Sequence, residues 1–205
     1  MEEQQTKRPI FTPIVLILLT VSLIGNVFLY SKMLQNEQSD KADRGAGVLQ
    51  SGNDAIAFFD LAVAQTGDLI AKPELASRML AKSKLIAAYR QATAAEDFVQ
   101  AAEDANGKPF PAAKRSATEF MDQTLASLQA IGNHDGPLAD GEQAYLSELL
   151  QVFKACQQEL SAFRHDTINH EQSLAILVDG AWPPMAGKLL AHMNEPDELA
   201  FDPSK

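Results

Sequence analysis

The longest apolar run lies at residues 10–30, IFTPIVLILLTVSLIGNVFLY, and contains no charged side chain. As a helix it rises about 31 Å, the thickness of a bilayer's hydrocarbon core. Tyr30 stands where an interfacial aromatic belongs, and Lys7, Arg8 and Lys32 bracket the run. The residues that follow, GNVFLYSKMLQ, hold no small-x-small cleavage site, so the run reads as an uncleaved signal anchor. Pro13, Gly25 and Asn26 interrupt it. Ser22 and Asn26, four residues apart, put two polar groups on one face, where they can contact a neighbouring membrane helix. The plainer reading sets Asn26 at the exit level, within reach of water.

Beyond the run the pattern turns amphipathic with helical spacing. Residues 31–46 read as a polar juxtamembrane stalk, helical or loose, and Gly45, Gly47 and Gly52 weaken a continuous helix there. Leu49, Ile56, Phe59, Val63 and Ile70, widened by Phe58, Ala62 and Leu69, predict a helix over 48–71. Lys72–Pro73 ends it. Pro73 and Glu74 suit the first turn of a second helix reaching about 104, with Leu75, Met79, Leu80, Ile86, Tyr89 and Phe98 inward. Asn106–Gly107–Lys108–Pro109 breaks the pattern. A third helix over 112–131, begun by Pro111, carries Phe120, Met121, Leu125, Leu128 and Ile131. The turn GNHDGP follows. The clearest seam is Leu146, Leu149, Phe153, Cys156, Leu160 and Phe163, stepping alternately by three and four on a helix from about 138–142 to at least 165. Gly180 stops what continues from it. A short helix over about 184–193 brings Met185, Leu189, Leu190 and Met193.

No alternating β pattern competes. The expected fold is therefore all-α: one N-terminal transmembrane helix, then an up-down four-helix bundle with a short extra C-terminal helix. The division is a tail at 1–9, the anchor at 10–30, the stalk at 31–46, the bundle at 47–193 and a flexible tail at 194–205.

Charge narrows the partners. The chain of 205 residues carries a net −10, all of it beyond residue 9. That balance opposes nucleic-acid binding and adhesion of the domain to anionic lipid. The bilayer itself remains a partner through the anchor. Two early cations against Lys32, Lys41 and Arg44 leave orientation nearly balanced. The short basic head before the apolar run resembles bacterial signal-anchored proteins in general. That resemblance covers about 30 residues and implies a cytoplasmic N-terminus and an extracytoplasmic domain in the cell membrane. The single cysteine, Cys156, lies on the seam and reads as a small core residue.

Catalytic signatures are missing: no phosphate-binding loop, dinucleotide fingerprint, nucleophile elbow, zincin helix, CxxC or EF-hand loop occurs. The best polar cluster is His165, Asp166, His170 and Glu171. On a helix Asp166 and His170 would share a face and could chelate a metal or pass a proton, yet spacing signals no third ligand, and a solvated surface explains the cluster. Neither metal nor cofactor is expected. Trp182–Pro183–Pro184 is the most distinctive local feature. It reads either as a rigid partner contact or, more often for such a residue, as a cap over the bundle core.

By elimination, the expected function is a non-enzymatic interaction or accessory module that contacts another envelope protein, with a homo-oligomer left open. The alternative is an extracytoplasmic bundle that binds or senses a small molecule. Such bundles resemble the sensing domains of bacterial chemoreceptors and kinases, and this one would signal through a separate protein.

Overall fold

The computed structural model describes residues 11–111, 113–196 and 199–201. The tail 1–9 and the anchor's first residue therefore lie outside the described residues, as do 112, 197–198 and 202–205. All regular structure among the described residues is helical, with no strand.

The dominant element is α1 (Phe11–Ala71), 61 residues without a break. At 1.5 Å per residue it is about 90 Å long. Its first part is one helix long and apolar enough to cross a membrane, and none of that apolar window is buried in the protein. Residues 31–41 are exposed on every side. From Ala42 onward α1 enters the packed domain, five residues before the expected boundary.

The glycines do not break α1, contrary to the weakening expected at Gly45, Gly47 and Gly52. A Cβ on Gly45 would stand 1.7 Å from the Ser173 carbonyl oxygen, and one on Gly52 2.0 Å from the Phe163 ring. Both glycines admit a neighbour close to the α1 backbone. That packing offsets a helix-propensity cost of about 1 kcal/mol each. Gly45→Ala should therefore lower stability by about 1–3 kcal/mol, because a backbone carbonyl has to retreat. Gly47 has nothing near its missing Cβ, so Gly47→Ala should be neutral or slightly stabilising. Thermal unfolding of the two variants checks the contrast.

The expected second helix is two. α2 (Leu75–Ala88) and α3 (Thr93–Asn106) are separated by a 3₁₀ turn at Tyr89–Gln91. Pro73 lies outside α2, whose N-cap is the extended Glu74. The inward face also differs. Met79 and Leu80 are exposed, whereas Arg78 and Lys82 are buried. α4 (Ala117–Ala130) starts five residues later than expected. Ser116 and Glu119 exchange hydrogen bonds there in a capping box, which fixes the start better than Pro111 does.

α5 (Asp140–Leu160) carries the seam as far as Leu160, and all six expected residues, Phe163 beyond its end included, are buried. The helix gives way to a 3₁₀ turn at Ser161–Phe163. α6 (His170–Ile176) and α7 (Trp182–Asn194) complete the chain. α7 begins two residues early because Pro183 and Pro184 fall in its first turn, where backbone N–H groups need no helical partner.

α1 packs on α2, α3, α5 and α6, while α7 packs on α3 and α5. α5 runs antiparallel to α1: Asn53 pairs with the His165 backbone, and Gln157 donates to Asp60. Phe58, Phe59 and Phe153 meet at the centre, with Tyr89 against Phe58 and Phe120 against Phe153. Tyr89 donates to Thr124 in this core. The C-terminal stretch expected to be flexible is docked where it is described. Leu199 is buried, the Phe201 N–H donates to Ser127 Oγ, and the Phe201 ring packs on Tyr145.

Candidate functional site

An open groove of about 1220 Å³ runs along the line where the first half of the packed part of α1 meets α3. It arises from small side chains. Gly47 and Ser51 on α1 face Ala94, Ala101 and Ala105 on α3, so nothing large fills the gap. On α1 the lining runs from Lys41 to Asp54, about 20 Å of helix. Trp182 contributes to the floor, and Leu174, Leu177 and Val178 close one end. Val178 is 86% exposed, an unusual state for a large apolar residue beside a concavity.

The walls carry opposite charges at matching heights. Tyr89 packs on Phe58 with ring centroids 5.3 Å apart, and α3 descends from there antiparallel to α1. At 1.5 Å per residue, Asp97 stands at about the height of Gln50, and Asp104 at about that of Arg44. The membrane-side part of the groove thus has Lys41 and Arg44 on α1 against Asp104 on α3. At the far end the signs reverse, with Asp54 on α1 and Arg90 above α3. Among the described residues, Lys41, Arg90 and Asp97 have no ion pair or side-chain hydrogen bond.

Trp182 is 3% exposed, and its indole N–H donates to the Ile176 carbonyl at 2.9 Å. The ring lies 5.6 Å from Phe98, which in turn meets Phe163. Pro183 is half-buried and Pro184 exposed at the helix start. Ser22 and Asn26 are both exposed on α1.

The polar cluster at 165–171 does not form the shared helix face that its spacing allowed. Residues 164–169 are non-helical, so Asp166 and His170 are not one turn apart. The α6 cap explains why: Asn169 accepts from the Gln172 N–H and starts a new helix. His165 is held by its backbone, which exchanges hydrogen bonds with the Asn53 amide. Among the described residues, no three His, Cys, Asp or Glu side chains converge as metal ligands.

A different ionisable cluster is buried at the end of the domain away from the anchor. Arg78 is 1% exposed, and Lys82 and Glu142 are each 5% exposed. Arg78 donates to the carbonyls of Gly136 and His134. Lys82 donates to the Gln129 and Ile131 carbonyls and to Asn133 Oδ1, at 2.8, 2.8 and 2.6 Å. It thereby caps the carbonyl end of α4, where a cation is also favoured by the helix dipole. The Glu142 carboxylate accepts from the Gly132 and Ala139 N–H groups and from His134. The three side chains hold the 131–139 turn, in which Gly132 and Gly136 take φ of +69° and +88°. Burial would raise the Glu142 carboxyl, but those hydrogen bonds outweigh it and hold the group below its ordinary value. Burial lowers the Lys82 ammonium, with Glu142 opposing.

His134 has an acceptor on each ring nitrogen, Glu142 Oε2 at 2.8 Å and the Asp135 carbonyl at 3.1 Å. That arrangement suits the doubly protonated ring. The hydrogen bond to Glu142, then that to Asp135, raises its pKa above the ordinary 6.5. A raised folded-state value stabilises fully below 6.5 and fades as pH rises through it. The melting temperature should therefore fall more between pH 6 and pH 8 in the wild type than in His134→Gln. Equal slopes in thermal scans across that range would remove His134 as the cause.

The apolar periodicity did not point to this cluster, because it places Met79 and Leu80 inward and says nothing of Arg78 and Lys82. The available signal was the four-residue spacing of Arg78 and Lys82, opposite a turn rich in carbonyls and glycine. The cluster's hydrogen bonds go mainly to backbone groups of the turn, which makes it a structural clamp. Cys156 is likewise buried, and burial pushes its thiol far up. The groove is left as the candidate site. No protein family, curated protein or solved structure matches the chain.

Proposed function

We propose that this protein is a membrane-tethered, non-enzymatic interaction module of the cell envelope that binds a partner in the groove between α1 and α3. The groove carries the reading. It exceeds the 300–1,000 Å³ typical of small-molecule pockets and is open along its length, which suits a peptide or helix. The buried ionisable groups, the other place to look for chemistry, are engaged in holding a turn.

The tether is the first part of α1. Large apolar side chains from Ile14 to Leu34 are exposed together, far beyond the patch a soluble monomer shows to water. Lipid is the natural cover. In this reading the N-terminus is cytoplasmic, the domain extracytoplasmic, and α1 the pass between them. A C-terminal alkaline phosphatase fusion should then be active and a cytoplasmic reporter at the same site silent. The domain is read as an up-down bundle in which α1 rises, α2 with α3 and then α5 descend, and α4 and α7 fill the remaining side. The helix contacts support that reading.

The binding reading is tested with a photo-crosslinking residue at Gln91 or Asp97, in intact cells. A discrete adduct is expected there and none at Glu148 or Lys154, which are exposed on α5. Adducts of equal yield at all four positions would overturn it. The small-molecule alternative draws on Ser51, Asp54 and Thr93 converging at the far end of the groove. It gains if groove variants alter ligand-dependent stability without changing any adduct.

A further inference from the structure

We infer that the occupant of the groove is α1 of a second copy of this chain, in a parallel dimer with its twofold axis normal to the membrane. This rests on the reading of the groove as a binding surface. Two copies anchored in one bilayer by the same helix stand parallel and at equal height. A twofold axis along that direction sets each residue against partner residues of its own height.

The α3 wall of the groove is complementary in charge to α1 under that operation. When one α1 seats in the partner's groove, its Lys41 and Arg44 come to the height of Asp104 on α3. At the far end Asp54 on α1 meets Arg90, so the signs reverse on both sides together. A copy shifted along the axis, or inserted antiparallel, sets like charges together. The contact surface is small, with Gly47 and Ser51 on α1 and Ala94 and Ala101 on α3, so two backbones can approach closely.

The same face continues without interruption into the membrane, because α1 is one helix. At 100° per residue, Ser22, Asn26, Met33, Asp40, Arg44 and Gly47 fall within one stripe. Ser22 and Asn26 in the apolar run therefore point to the same side as the groove. None of the described residues covers α1 at 31–41, where it is exposed all round.

The test uses the full-length protein in native membranes. Two differently tagged copies, Arg44→Cys and Asp104→Cys, are co-expressed and treated with a short thiol-to-thiol cross-linker. The buried Cys156 stays out of the reaction. The expected product is the mixed dimer. Met33→Cys should link to itself, and Gln38→Cys, on the opposite side of α1, should link far less. Arg44→Asp should reduce the dimer several-fold, and adding Asp104→Arg to the same chain should restore it. Equal linking at Met33 and Gln38, or no mixed dimer with both copies folded, overturns the second copy as occupant. If a groove photo-adduct of another mass then remains, the binding reading stands with a different partner. If no adduct of any kind forms, both readings fall.

Discussion

Trp182→Ala should lower folding stability by about 3–5 kcal/mol, the range for truncating a large buried aromatic. At roughly 2–4 °C per kcal/mol for a chain of this size, the melting temperature falls by on the order of 10 °C. Two losses combine. The indole leaves a cavity beside Phe98 and Phe163. The Ile176 carbonyl also loses its donor at the end of α6. Trp182→Phe separates them: it keeps most of the packing and loses the hydrogen bond, a cost of about 1 kcal/mol. Thermal or denaturant unfolding of both variants checks the order. An unchanged melting temperature for Trp182→Ala would return the residue to the role of partner contact. Because Trp182 also floors the groove, Trp182→Ala should weaken groove binding as well.

Glu142→Ala should be comparably damaging, by about 3–5 kcal/mol, the usual loss on removing one member of a buried charged network. The carboxylate accepts from Gly132, Ala139 and His134, and its charge favours the buried Lys82 ammonium. Without it the two N–H groups lose their acceptor, and Lys82 is left with uncharged partners alone. Glu142→Gln keeps one acceptor and the shape, so its loss should be smaller. Amide exchange across 131–139 should rise in Glu142→Ala, because the turn is released before the rest of the domain. A global loss with no local rise in exchange would contradict the clamp.

Much of the architecture was legible because burial here mostly follows helical periodicity. The seam from Leu146 to Phe163 was read residue by residue, since each position is apolar and each is buried. The places that misled share a cause: the deciding contact lies far away in sequence. Gly45 looks like a weak point in a helix until Ser173 is set against it. Arg78 and Lys82 look solvated until the turn after α4 supplies carbonyls. Asp166 and His170 look like one face until Asn169 starts a helix between them. The groove was the least legible feature. Small residues on two helices signal an approach, and only the folded arrangement reveals the groove left open beside it.

The unbroken α1 also makes the distance between membrane and groove a matter of counting. Residues 31–41 act as a spindle with a fixed pitch: one residue more lifts the domain 1.5 Å and turns it 100°. A single insertion there would swing the groove away from Ser22 and Asn26, whereas seven residues, nearly two whole turns, would raise it by about 10 Å facing almost as before. The chain can therefore tolerate changes in reach that it cannot tolerate in bearing. Its stalk is a gauge of direction as much as of height.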